Sequence, residues 1–309
     1  MAILLVMCGL QCSGKSTEIV SLSQKYNATV LSSDQLRKEH PEWNNDTVFK
    51  TLYARMNNLL SLNTNVILDA TNITIKSRRQ IFLNLKEQCH KICYIMNTPF
   101  NVCKARLQIR NKVPESHFVP EEVLDRYHES FEIPFYEEGW DEIIVHNEVD
   151  QETAESTLSS LIKAANGFDQ KNKHHTQDLG QHMKTVGDLL REWTDSIIMA
   201  TAGYYHDVGK LFTQTVGQDG NCHYYNHDSV GAYSLLCTAG WYNGIQYADN
   251  KPQWLYDTKT TLKWLFYIDY HMRLHNVVTD KSIKKWKNIF GEELYNKLRL
   301  FEKADKFRG

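Results

Sequence analysis

Short apolar runs alternate with helical segments through the first half of the chain. The run from Ile3 to Met7 is continuously apolar, as expected for a strand that is buried on both faces of a parallel sheet. The alternation indicates βαβ units, so residues 1–150 are predicted to form an α/β domain, a parallel sheet with helices on both faces. Comparable β-rich runs occur at 28–31, 65–68, 91–96 and 142–145, and helices are predicted to begin near Lys15, Asp46, Lys76 and Val119.

The pattern changes after Val149. Residues 151–165 predict one helix, and residues 166–173 are polar with a glycine, which indicates a linker. From 174 to 309 strand signals are few, and the apolar spacing predicts an all-α domain. Its predicted helices are 177–193, 196–206, 229–238, 260–270 and 292–306.

Composition and charge narrow the class of protein. With 309 residues, 42% of them hydrophobic and 23% charged, the chain is long enough for two soluble domains of ordinary size. A net charge of −2 gives no overall basic signature, so any contact with nucleic acid must come from a local patch. No apolar run is long enough to cross a bilayer and the first residues lack the pattern of a signal peptide, so no membrane association is expected. Seven scattered cysteines, an odd number, indicate a reducing, cytoplasmic location.

Residues 9–16, GLQCSGKS, match the P-loop pattern directly after a predicted strand and at the start of a predicted helix. In such a loop the glycines let backbone N–H groups converge on phosphate, Lys15 supplies a cation, and the Ser16 hydroxyl binds Mg²⁺. ATP and Mg²⁺ are therefore the predicted cofactors. The predicted nucleotide-binding residues of the loop and the first helical turn are Gly9, Ser13, Gly14, Lys15, Ser16 and Thr17.

Two polar segments follow the second and third predicted strands. In residues 33–37, SDQLR, Asp34 is placed to accept a proton from an attacking hydroxyl and Arg37 to bind a substrate phosphate. The alternative is that Ser33 or Asp34 caps a helix while Arg37 is solvated. Asp69, at the end of the third strand, either holds a water bound to Mg²⁺ or orients the site, or it begins the next turn.

Together these segments resemble the phage-type polynucleotide 5′-kinase family over roughly residues 1 to 140. The resemblance rests on the P-loop, on SDQLR at 33–37, on DATN at 69–72 with two arginines after it, and on an arginine-bearing segment at 105–112. It implies that Asp34 is the general base and that Arg37 contacts the phosphate of the acceptor strand.

The resemblance also implies a lid whose arginine stabilises charge on the transferred phosphoryl group, because phosphoryl transfer depends mainly on positioning and electrostatics. Arg106 and Arg110 are the two candidates. For each of them, the alternative is an exposed arginine on a helix.

Histidines and aspartates in the second half follow an order typical of a metal site. His206 and Asp207 stand in YYHDVGK (204–210), after an apolar helix and directly before a glycine and Lys210. Imidazole nitrogens and carboxylate oxygens suit a divalent metal, and a site with open positions can activate water. For each histidine taken alone, the alternative is a satisfied polar residue between helices.

The ordered set resembles the HD phosphohydrolase superfamily over roughly residues 172 to 309. That resemblance implies a divalent transition metal (Mn, Ni, Co or Zn) and a contact between Lys210 and substrate phosphate. The metal ligands that it implies are His182, His206, Asp207 and Asp305 for a first ion, and His227 and His271 for a second ion or for phosphate. Four further histidines are expected near the cleft without being ligands, namely His174, His175, His223 and His275.

Proteins that join polynucleotide kinase and HD modules resemble this chain and act in RNA end healing. The predicted function is therefore bifunctional. Lys15, Asp34 and Arg37 are the predicted catalytic residues for phosphorylation of 5′-hydroxyl ends, and Asp207 and Lys210 for removal of 2′,3′-cyclic or 3′-phosphates. The products suit a ligase, so the predicted partners are RNA ends, or DNA ends, and a cooperating ligase.

Two other functions stay open. One is a nucleoside or metabolite kinase fused to an HD nucleotidase, and the other is a P-loop ATPase that regulates an HD phosphodiesterase. A basic groove formed by Arg37, Lys76, Arg78 and Arg79 and leading to Asp34 favours a strand substrate, whereas a closed pocket favours a metabolite. The regulatory ATPase requires Asp34 to be dispensable.

Overall fold

Two compact units make up the described chain. The structure is a computed structural model that describes residues 1–113, 118–146, 151–171, 177–218, 220–239 and 258–307. One unit comprises Met1–Tyr127 and Glu138–Glu148, and the other comprises His128–Glu137 and Val149–Gly309. Residues 128–137 therefore group with the second unit, although they precede the last strand of the first.

The first unit is built on a parallel sheet, as the alternation of apolar runs predicted. Its five strands within the described residues are β1 (Ile3–Cys8), β2 (Ala28–Ser32), β3 (Asn65–Asp69), β4 (His90–Met96) and β5 (Glu142–His146). They are ordered β2-β3-β1-β4-β5, and each neighbouring pair is parallel. Because the order reverses beside β1, its carboxyl end is the switch point at which open α/β sheets bind ligands.

Helices fill the connections between these strands. They are α1 (Lys15–Lys25), α2 (Ser33–Glu39), α3 (Asn45–Ser61), α4 (Ile75–Asn84), α5 (Phe100–Arg110) and α6 (Glu121–Glu129). The N-cap of α2 is Ser32, whose side chain accepts a hydrogen bond from the Gln35 N–H. Ser33 and Asp34 therefore lie inside the helix and do not cap it, which corrects that alternative.

Strand β1 is buried on both faces, which is why its sequence is apolar at consecutive positions. Residues 4–7 are all completely buried. Because side chains alternate between the two faces of a strand, only Leu5 and Met7 share a core cluster with Ile19 and Leu22 of α1. This packing fixes the start of α1, and with it the loop at the end of β1.

A buried ion pair lies where the sequence analysis considered a basic surface. Arg78 donates from Nε to Glu138 Oε2 and from Nη2 to Glu138 Oε1, each at 2.7 Å. Both side chains are essentially inaccessible, at 0% and 1% exposure. Nη1 of Arg78 also donates to the carbonyl oxygen of Asn72 at 3.2 Å. Arg78 therefore cannot line a basic groove, because its charge is neutralised inside the unit.

The second unit is mainly helical. Its described helices are α7 (Gln151–Ala165), α8 (Leu179–Trp193), α9 (Ile197–Gly203), α10 (Lys210–Thr213), α11 (His227–Ala239), α12 (Thr258–Tyr270) and α13 (Asp280–Asp305). α13 is interrupted at Gly291, which has φ 79 and ψ 161, so the predicted helix that began at 292 is its second half. An antiparallel hairpin, β6 (Gln214–Val216) with β7 (Cys222–Tyr224), was not predicted and makes this unit not strictly all-α.

The segment that looked like a linker is packed within the second unit. Gln170 is only 2% exposed. The Leu179 N–H donates to the carbonyl oxygen of Phe168 at 3.1 Å, and the Cys222 N–H donates to that of Lys171 at 2.9 Å. Polar composition predicted a free connection, whereas residues 166–171 are held by backbone hydrogen bonds to α8 and β7. In the part of the chain that the structure describes, no helix combines the length and apolarity that a bilayer crossing needs.

The buried ion pair of the first unit can be tested by removing one partner. Replacement of Glu138 by Ala leaves the Arg78 guanidinium buried without its carboxylate, and we expect a loss of about 3–5 kcal/mol in the free energy of unfolding of that unit. Chemical denaturation followed by circular dichroism measures this loss. Lys104→Ala is the matched control, because its pairs with Glu121 and Asp125 are partly exposed and such pairs contribute about 1 kcal/mol or less. An equal effect of the two substitutions would contradict the buried-pair interpretation.

Candidate active sites

The P-loop lies at the carboxyl end of β1, where the sheet order reverses. The Gly9 N–H donates to the carbonyl oxygen of Thr71 at 2.9 Å, which ties the loop to the residues that follow β3. Gly14 precedes α1 with φ 89, in the left-handed region that favours glycine. Ser16 and Thr17 are exposed in the first turn of α1. The loop therefore leaves the N-terminus of α1, and the hydroxyls of Ser16 and Thr17, accessible to a phosphate.

Lys15 lies folded against this loop. Its Nζ donates to the carbonyl oxygens of Leu10 at 2.6 Å and Gly9 at 3.0 Å. Burial lowers the pKa of Lys15, and the nearby charge of Asp69 acts in the opposite direction. The ammonium is thus held within the P-loop, where a bound phosphate would replace the two carbonyl oxygens as its partner.

Two carboxylates lie at the same edge of the sheet as Lys15. Asp69 ends β3, stands in register with Ser32 of β2 and accepts a hydrogen bond from that hydroxyl. Burial raises the pKa of Asp69, while Ser32 and the Lys15 charge lower it. Asp34 acts electrostatically on both Lys15 and Asp69. The structure therefore brings the three predicted residues Lys15, Asp34 and Asp69 into one electrostatic cluster.

Asp34 is open to solvent and paired with Arg37. Their side chains meet at 2.8 Å between Nη1 and Oδ1, and the carboxylate side chain is 82% exposed. Nη2 of Arg37 donates to Asn45 Oδ1 at 3.2 Å. An exposed carboxylate next to a fixed guanidinium can accept a proton from one group of a substrate while the arginine binds another.

Both candidate lid arginines reach the P-loop. On α5, Arg106 and Arg110 are one helical turn apart and so share a face. Nη1 of Arg106 lies 3.5 Å from the carbonyl oxygen of Cys12, and Nη1 of Arg110 lies 4.0 Å from its Sγ. The structure brings both to the loop, so the choice between them stays open.

Thr98 is a P-loop contact that the sequence analysis missed. Its Oγ1 donates to the carbonyl oxygen of Ser13 at 2.8 Å, and both residues are completely buried. The signal in the sequence was the polar pair Asn97 and Thr98 directly after the apolar run of β4, at the carboxyl edge of the sheet.

In the second unit, residues from five separate elements meet. His182 lies in α8, His206 and Asp207 follow α9, His227 begins α11, His271 follows α12, and Asp305 ends α13. One potential ligand atom from each of His182, His206, Asp207 and Asp305 lies within 4.8 Å of the others, and the same is true of Asp207, His227 and His271. All six predicted ligands are thus brought together, and Asp207 belongs to both groups.

Backbone carbonyls fix which ring nitrogen each of three histidines presents. Nδ1 lies 2.8 Å from the Gly203 oxygen in His206, 2.7 Å from the Tyr224 oxygen in His227 and 2.7 Å from the Ile268 oxygen in His271. A carbonyl oxygen can only accept, so Nδ1 carries the proton in each ring. Nε2 is left facing the cluster, which is the arrangement by which outer contacts orient metal-binding histidines.

The two oxygens of Asp207 face different groups. Oδ2 lies 3.3 Å from His182 Nε2 and 3.4 Å from His206 Nε2, whereas Oδ1 lies 3.1 Å from His227 Nε2 and 3.5 Å from His271 Nε2. A single carboxylate is therefore shared between two sets of imidazoles.

These separations fit metal ligands better than they fit hydrogen bonds. The buried Nε2 atoms of His227 and His271 have no hydrogen-bond partner of acceptable geometry among the described residues. Ligand atoms that each lie about 2.1 Å from one ion, at angles of roughly 90–110°, are about 3.0–3.4 Å from one another. The nitrogen and oxygen donors also suit Mn, Ni, Co or Zn. The residues present therefore fit a divalent metal, whose identity the donors do not decide.

Charges inside the cluster compensate one another. Burial opposes ionisation of Asp207, but the Lys210 ammonium and His206 hold its pKa well below the usual range. Burial also disfavours a charged His206, yet Asp207 and Asp305 raise its pKa to about 10. Asp305, buried as well, has a pKa held far below the usual range by hydrogen bonds from His182 and His206. Metal binding requires that the coordinating nitrogen of each imidazole carries no proton.

Lys210 is positioned by a residue that the sequence analysis did not single out. Its Nζ lies 2.6 Å from Asp207 Oδ2 and donates to Gln170 Oε1 at 3.0 Å. The backbone carbonyl oxygen of Gln170 in turn accepts a hydrogen bond from the Tyr224 hydroxyl. Gln170 lies in the segment predicted as a linker, so its sequence gave no signal of this contact.

The glycine between Asp207 and Lys210 allows α11 to approach. A Cβ atom on Gly209 would lie 1.9 Å from the carbonyl oxygen of His227 and 2.7 Å from the backbone nitrogen of Gly231. Only glycine leaves room for this contact, which brings His227 within 3.1 Å of Asp207.

The four histidines that were expected near the cleft without being ligands divide into three cases. Nε2 of His275 lies 3.3 Å from Asp305 Oδ2, so it contacts a predicted ligand directly. His223 is exposed and its ring stacks on Tyr225 at 5.6 Å. His174 and His175 lie outside the described residues.

Comparisons with known proteins bear mainly on the first unit. A family model described as an AAA domain matches residues 4–134. L-seryl-tRNA(Sec) kinase from Methanococcus maripaludis is 24% identical over 181 residues, an alignment that covers 52% of this chain and 68% of that protein. With the P-loop and the strand order, these matches show a P-loop domain of the kinase type and confirm the kinase and ATP-binding part of the prediction.

Two solved structures also resemble part of this chain. A chain of the Pnkp1/Rnl/Hen1 RNA repair complex matches with 22% identity and a TM-score of 0.38, covering 41% of this chain and 42% of that chain. A chain from a second structure of the Pnkp1/Rnl/Hen1 complex matches with 23% identity and a TM-score of 0.31, covering 39% of this chain and 42% of that chain. In both cases this chain spans less than half the length of the matched chain.

The sharing of the Asp207 carboxylate between two groups of ligands predicts how many metal ions the protein binds. We expect the protein to bind two equivalents of Mn²⁺, because Asp207 serves both groups of ligands. His227→Ala should remove one equivalent, and Asp207→Ala should weaken both by more than about 100-fold, since the loss of outer contacts alone costs 10- to 100-fold. Isothermal titration calorimetry on the metal-stripped protein measures both numbers. His223→Ala, an exposed histidine four residues from His227, should bind like the unmodified protein, and a single equivalent in the unmodified protein would contradict the two-group arrangement.

Proposed function

We propose that this chain is a bifunctional enzyme that heals nucleic-acid ends. It phosphorylates 5′-hydroxyl ends with ATP, and it removes 2′,3′-cyclic or 3′-phosphates with a divalent metal, on RNA in the first instance. The observation that carries the proposal is that each unit holds its own set of residues for phosphate chemistry: Lys15 with Asp34 and Asp69 in one, and the imidazoles around Asp207 in the other.

In the kinase reaction, Asp34 accepts the proton of the acceptor's 5′-hydroxyl while the hydroxyl oxygen bonds to the γ-phosphorus of ATP. The bond between that phosphorus and the bridging oxygen breaks, and ADP leaves. Arg37 binds the phosphate that follows the acceptor nucleoside, while Lys15 binds the β- and γ-phosphates. One or both of Arg106 and Arg110 neutralise charge on the transferred group. Ser16 and Asp69 would hold Mg²⁺, which supplies charge neutralisation on the phosphate oxygens.

In the hydrolase reaction, His182, His206, Asp207 and Asp305 would hold one ion, and Asp207, His227 and His271 a second one. A bound divalent metal supplies Lewis acidity and a nucleophile at neutral pH. Lys210 binds a phosphate oxygen of the substrate, and Gln170 holds its ammonium in place. This set matches the HD superfamily resemblance residue by residue, which supports a phosphoesterase.

The two reactions together produce a 5′-phosphate and a 3′-hydroxyl, which are the ends that a ligase joins. We therefore propose functional cooperation with a ligase. An RNA substrate is supported by the relative from Methanococcus maripaludis, whose name describes a kinase of L-seryl-tRNA(Sec). The same match favours a second candidate, in which the kinase phosphorylates a different hydroxyl, one carried on an aminoacylated RNA.

Separate loss of the two activities tests the proposal. An RNA with a 5′-hydroxyl and a 2′,3′-cyclic phosphate is incubated with ATP, Mg²⁺ and Mn²⁺ or Ni²⁺, and both ends are followed by gel and mass spectrometry. Lys15→Ala should lower 5′ phosphorylation by about 100-fold or more and leave 3′ processing intact, because it removes one transition-state contact in one unit. Asp207→Ala should do the reverse.

Matched controls are available for both substitutions. Lys25→Ala removes an exposed lysine from the same helix as Lys15, and Asp228→Asn alters the other His-Asp pair of the chain. Loss of both activities in either single variant would contradict independent sites. Phosphorylation of seryl-tRNA without phosphorylation of 5′-hydroxyl ends would select the second candidate.

The role of Asp34 separates a kinase from a regulatory ATPase. A general base contributes about 10²- to 10⁴-fold, so Asp34→Asn should lower the kcat for RNA phosphorylation by that factor while ATP affinity stays unchanged. Asp46→Asn, an exposed acid in the first turn of α3, is the control. Unchanged phosphorylation in Asp34→Asn would exclude Asp34 as the base, and ATP hydrolysis without any transfer to RNA would favour the regulatory ATPase.

A further inference from the structure

An aromatic side chain lies against Arg37 in the first unit, and the phosphoryl-transfer chemistry does not use it. The guanidinium carbon of Arg37 lies 5.8 Å from the centre of the Phe49 ring. Phe49 and Tyr53 are one turn apart on α3, with ring centres 6.0 Å apart. Asn45, one turn before Phe49, contacts Arg37 at 3.2 Å. This stripe of α3 therefore begins at Asn45, which contacts Arg37, the residue proposed to bind the acceptor phosphate.

A second pair of rings lies between α2 and α3. His40 and Trp43 are stacked, with ring centres 3.8 Å apart and ring planes at 5°. The backbone N–H of Trp43 donates to the carbonyl oxygen of His40 at 3.0 Å, so a tight turn holds the two residues together. His40 follows directly on the helix that carries Asp34 and Arg37, and its side chain is 35% exposed. We call His40, Trp43, Phe49 and Tyr53 the aromatic shelf.

The core does not account for these four rings. α3 buries a different stripe, made of Val48, Leu52, Met56 and Leu60. The residues of the shelf are all only partly buried, so part of each side chain remains available to a ligand.

Charge around the shelf is balanced. Between residues 34 and 55 there are four acidic side chains (Asp34, Glu39, Glu42 and Asp46) and four basic ones (Arg37, Lys38, Lys50 and Arg55). Residues 34–55 therefore carry no net positive charge that could follow a phosphate backbone, and Arg78 is buried. Within this stretch Arg37 is held in place by its pair with Asp34. Stacking of a base would add to this electrostatic contact.

We propose that the aromatic shelf binds the nucleobase of the acceptor's 5′-terminal nucleotide, with Phe49 as the central contact. The inference rests on the proposed kinase function and names how that site selects its acceptor. Arg37 supplies the link, because one of its nitrogens contacts Asp34 while its guanidinium lies against Phe49. A base stacked at Phe49 thus belongs to the nucleotide whose hydroxyl meets Asp34. Because every base has a π face, this contact tolerates any sequence.

The test uses two ligands and measures binding without phosphoryl transfer. One is a six-nucleotide RNA with a 5′-hydroxyl and a 3′ fluorescent label, and the other is the same RNA without the base of its first nucleotide. Fluorescence anisotropy in the absence of ATP gives both dissociation constants. In the unmodified protein the missing base should weaken binding by about 5- to 150-fold, the range for one stacked base. Phe49→Ala should weaken binding of the complete RNA by a similar factor and should no longer distinguish the two ligands.

Controls separate stacking from folding. Phe49→Tyr keeps an aromatic face and should restore most of the affinity, whereas Leu83→Ala removes an exposed apolar side chain elsewhere in the unit and should have no effect. Unchanged ATP affinity shows that the P-loop is intact in each variant. Raising the salt concentration should lower the affinity only with a slope of about −0.7, as for one phosphate of a single strand.

The outcomes distinguish the shelf from the proposed function. Equal discrimination between the two ligands in Phe49→Ala and the unmodified protein overturns the shelf, and so does a failure of the unmodified protein to bind the complete RNA. If the base is recognised through Phe49 but addition of ATP yields no 5′ phosphorylation, the shelf stands and the proposed kinase function fails. If ATP yields 5′ phosphorylation and the Phe49 variants bind normally, the function stands and the shelf fails.

Discussion

The carboxylate of Asp207 is the group around which the second unit is organised. A buried charge is unfavourable unless it is closely compensated. Here it is met by Lys210 at 2.6 Å and by imidazoles on both of its oxygens. Those partners come from α8, α10, α11 and the end of α12, so the helices must converge on one point. The close approach at Gly209 is part of the same requirement, because it brings the start of α11 to this carboxylate.

The same cluster has features of a metal site. Hydrogen bonds to backbone carbonyls orient the rings of His206, His227 and His271, since they use Nδ1 and leave Nε2 directed at the cluster. Rings oriented in this way favour selective coordination. Asp207 and Asp305 raise the pKa of His206, so a proton competes with a divalent ion for this ring.

The first unit handles charge differently. Its functional groups lie at the edge of the sheet and are partly solvated, with Asp34 almost fully exposed. Such a site binds phosphate through the loop and the helix N-terminus. Its other contacts form only when the substrates bind. The one fully buried ion pair in the described part of this unit, Arg78 with Glu138, is separate from Asp34 and serves the fold. The two arginines therefore differ in their surroundings: Arg37 is partly exposed beside Asp34, whereas Arg78 is buried and holds two segments together.

The sequence by itself determined the positions of the strands of the first unit and the residue types of both candidate sites. Each of the five strands was predicted to within one residue at either end. Continuous burial explains the apolar runs of β1, β3 and β4, whereas β2 and β5, at the edges of the sheet, are only partly buried. The P-loop and the histidine–aspartate cluster were also identifiable, since their chemistry requires particular residue types in a particular order. The hairpin β6–β7 was missed because strands of three residues are too short to show a period.

Tertiary structure alone decided the features that depend on distant partners. Arg78 is buried because Glu138 meets it from sixty residues away, and nothing near Arg78 in the sequence indicates that. Gln170 contacts Lys210 because a polar segment packs back onto the unit, and His275 reaches Asp305 across thirty residues. The same holds for the aromatic shelf, where one face of α3 brings Phe49 to Arg37. A sequence states which groups can do chemistry, whereas long-range packing decides which of them meet.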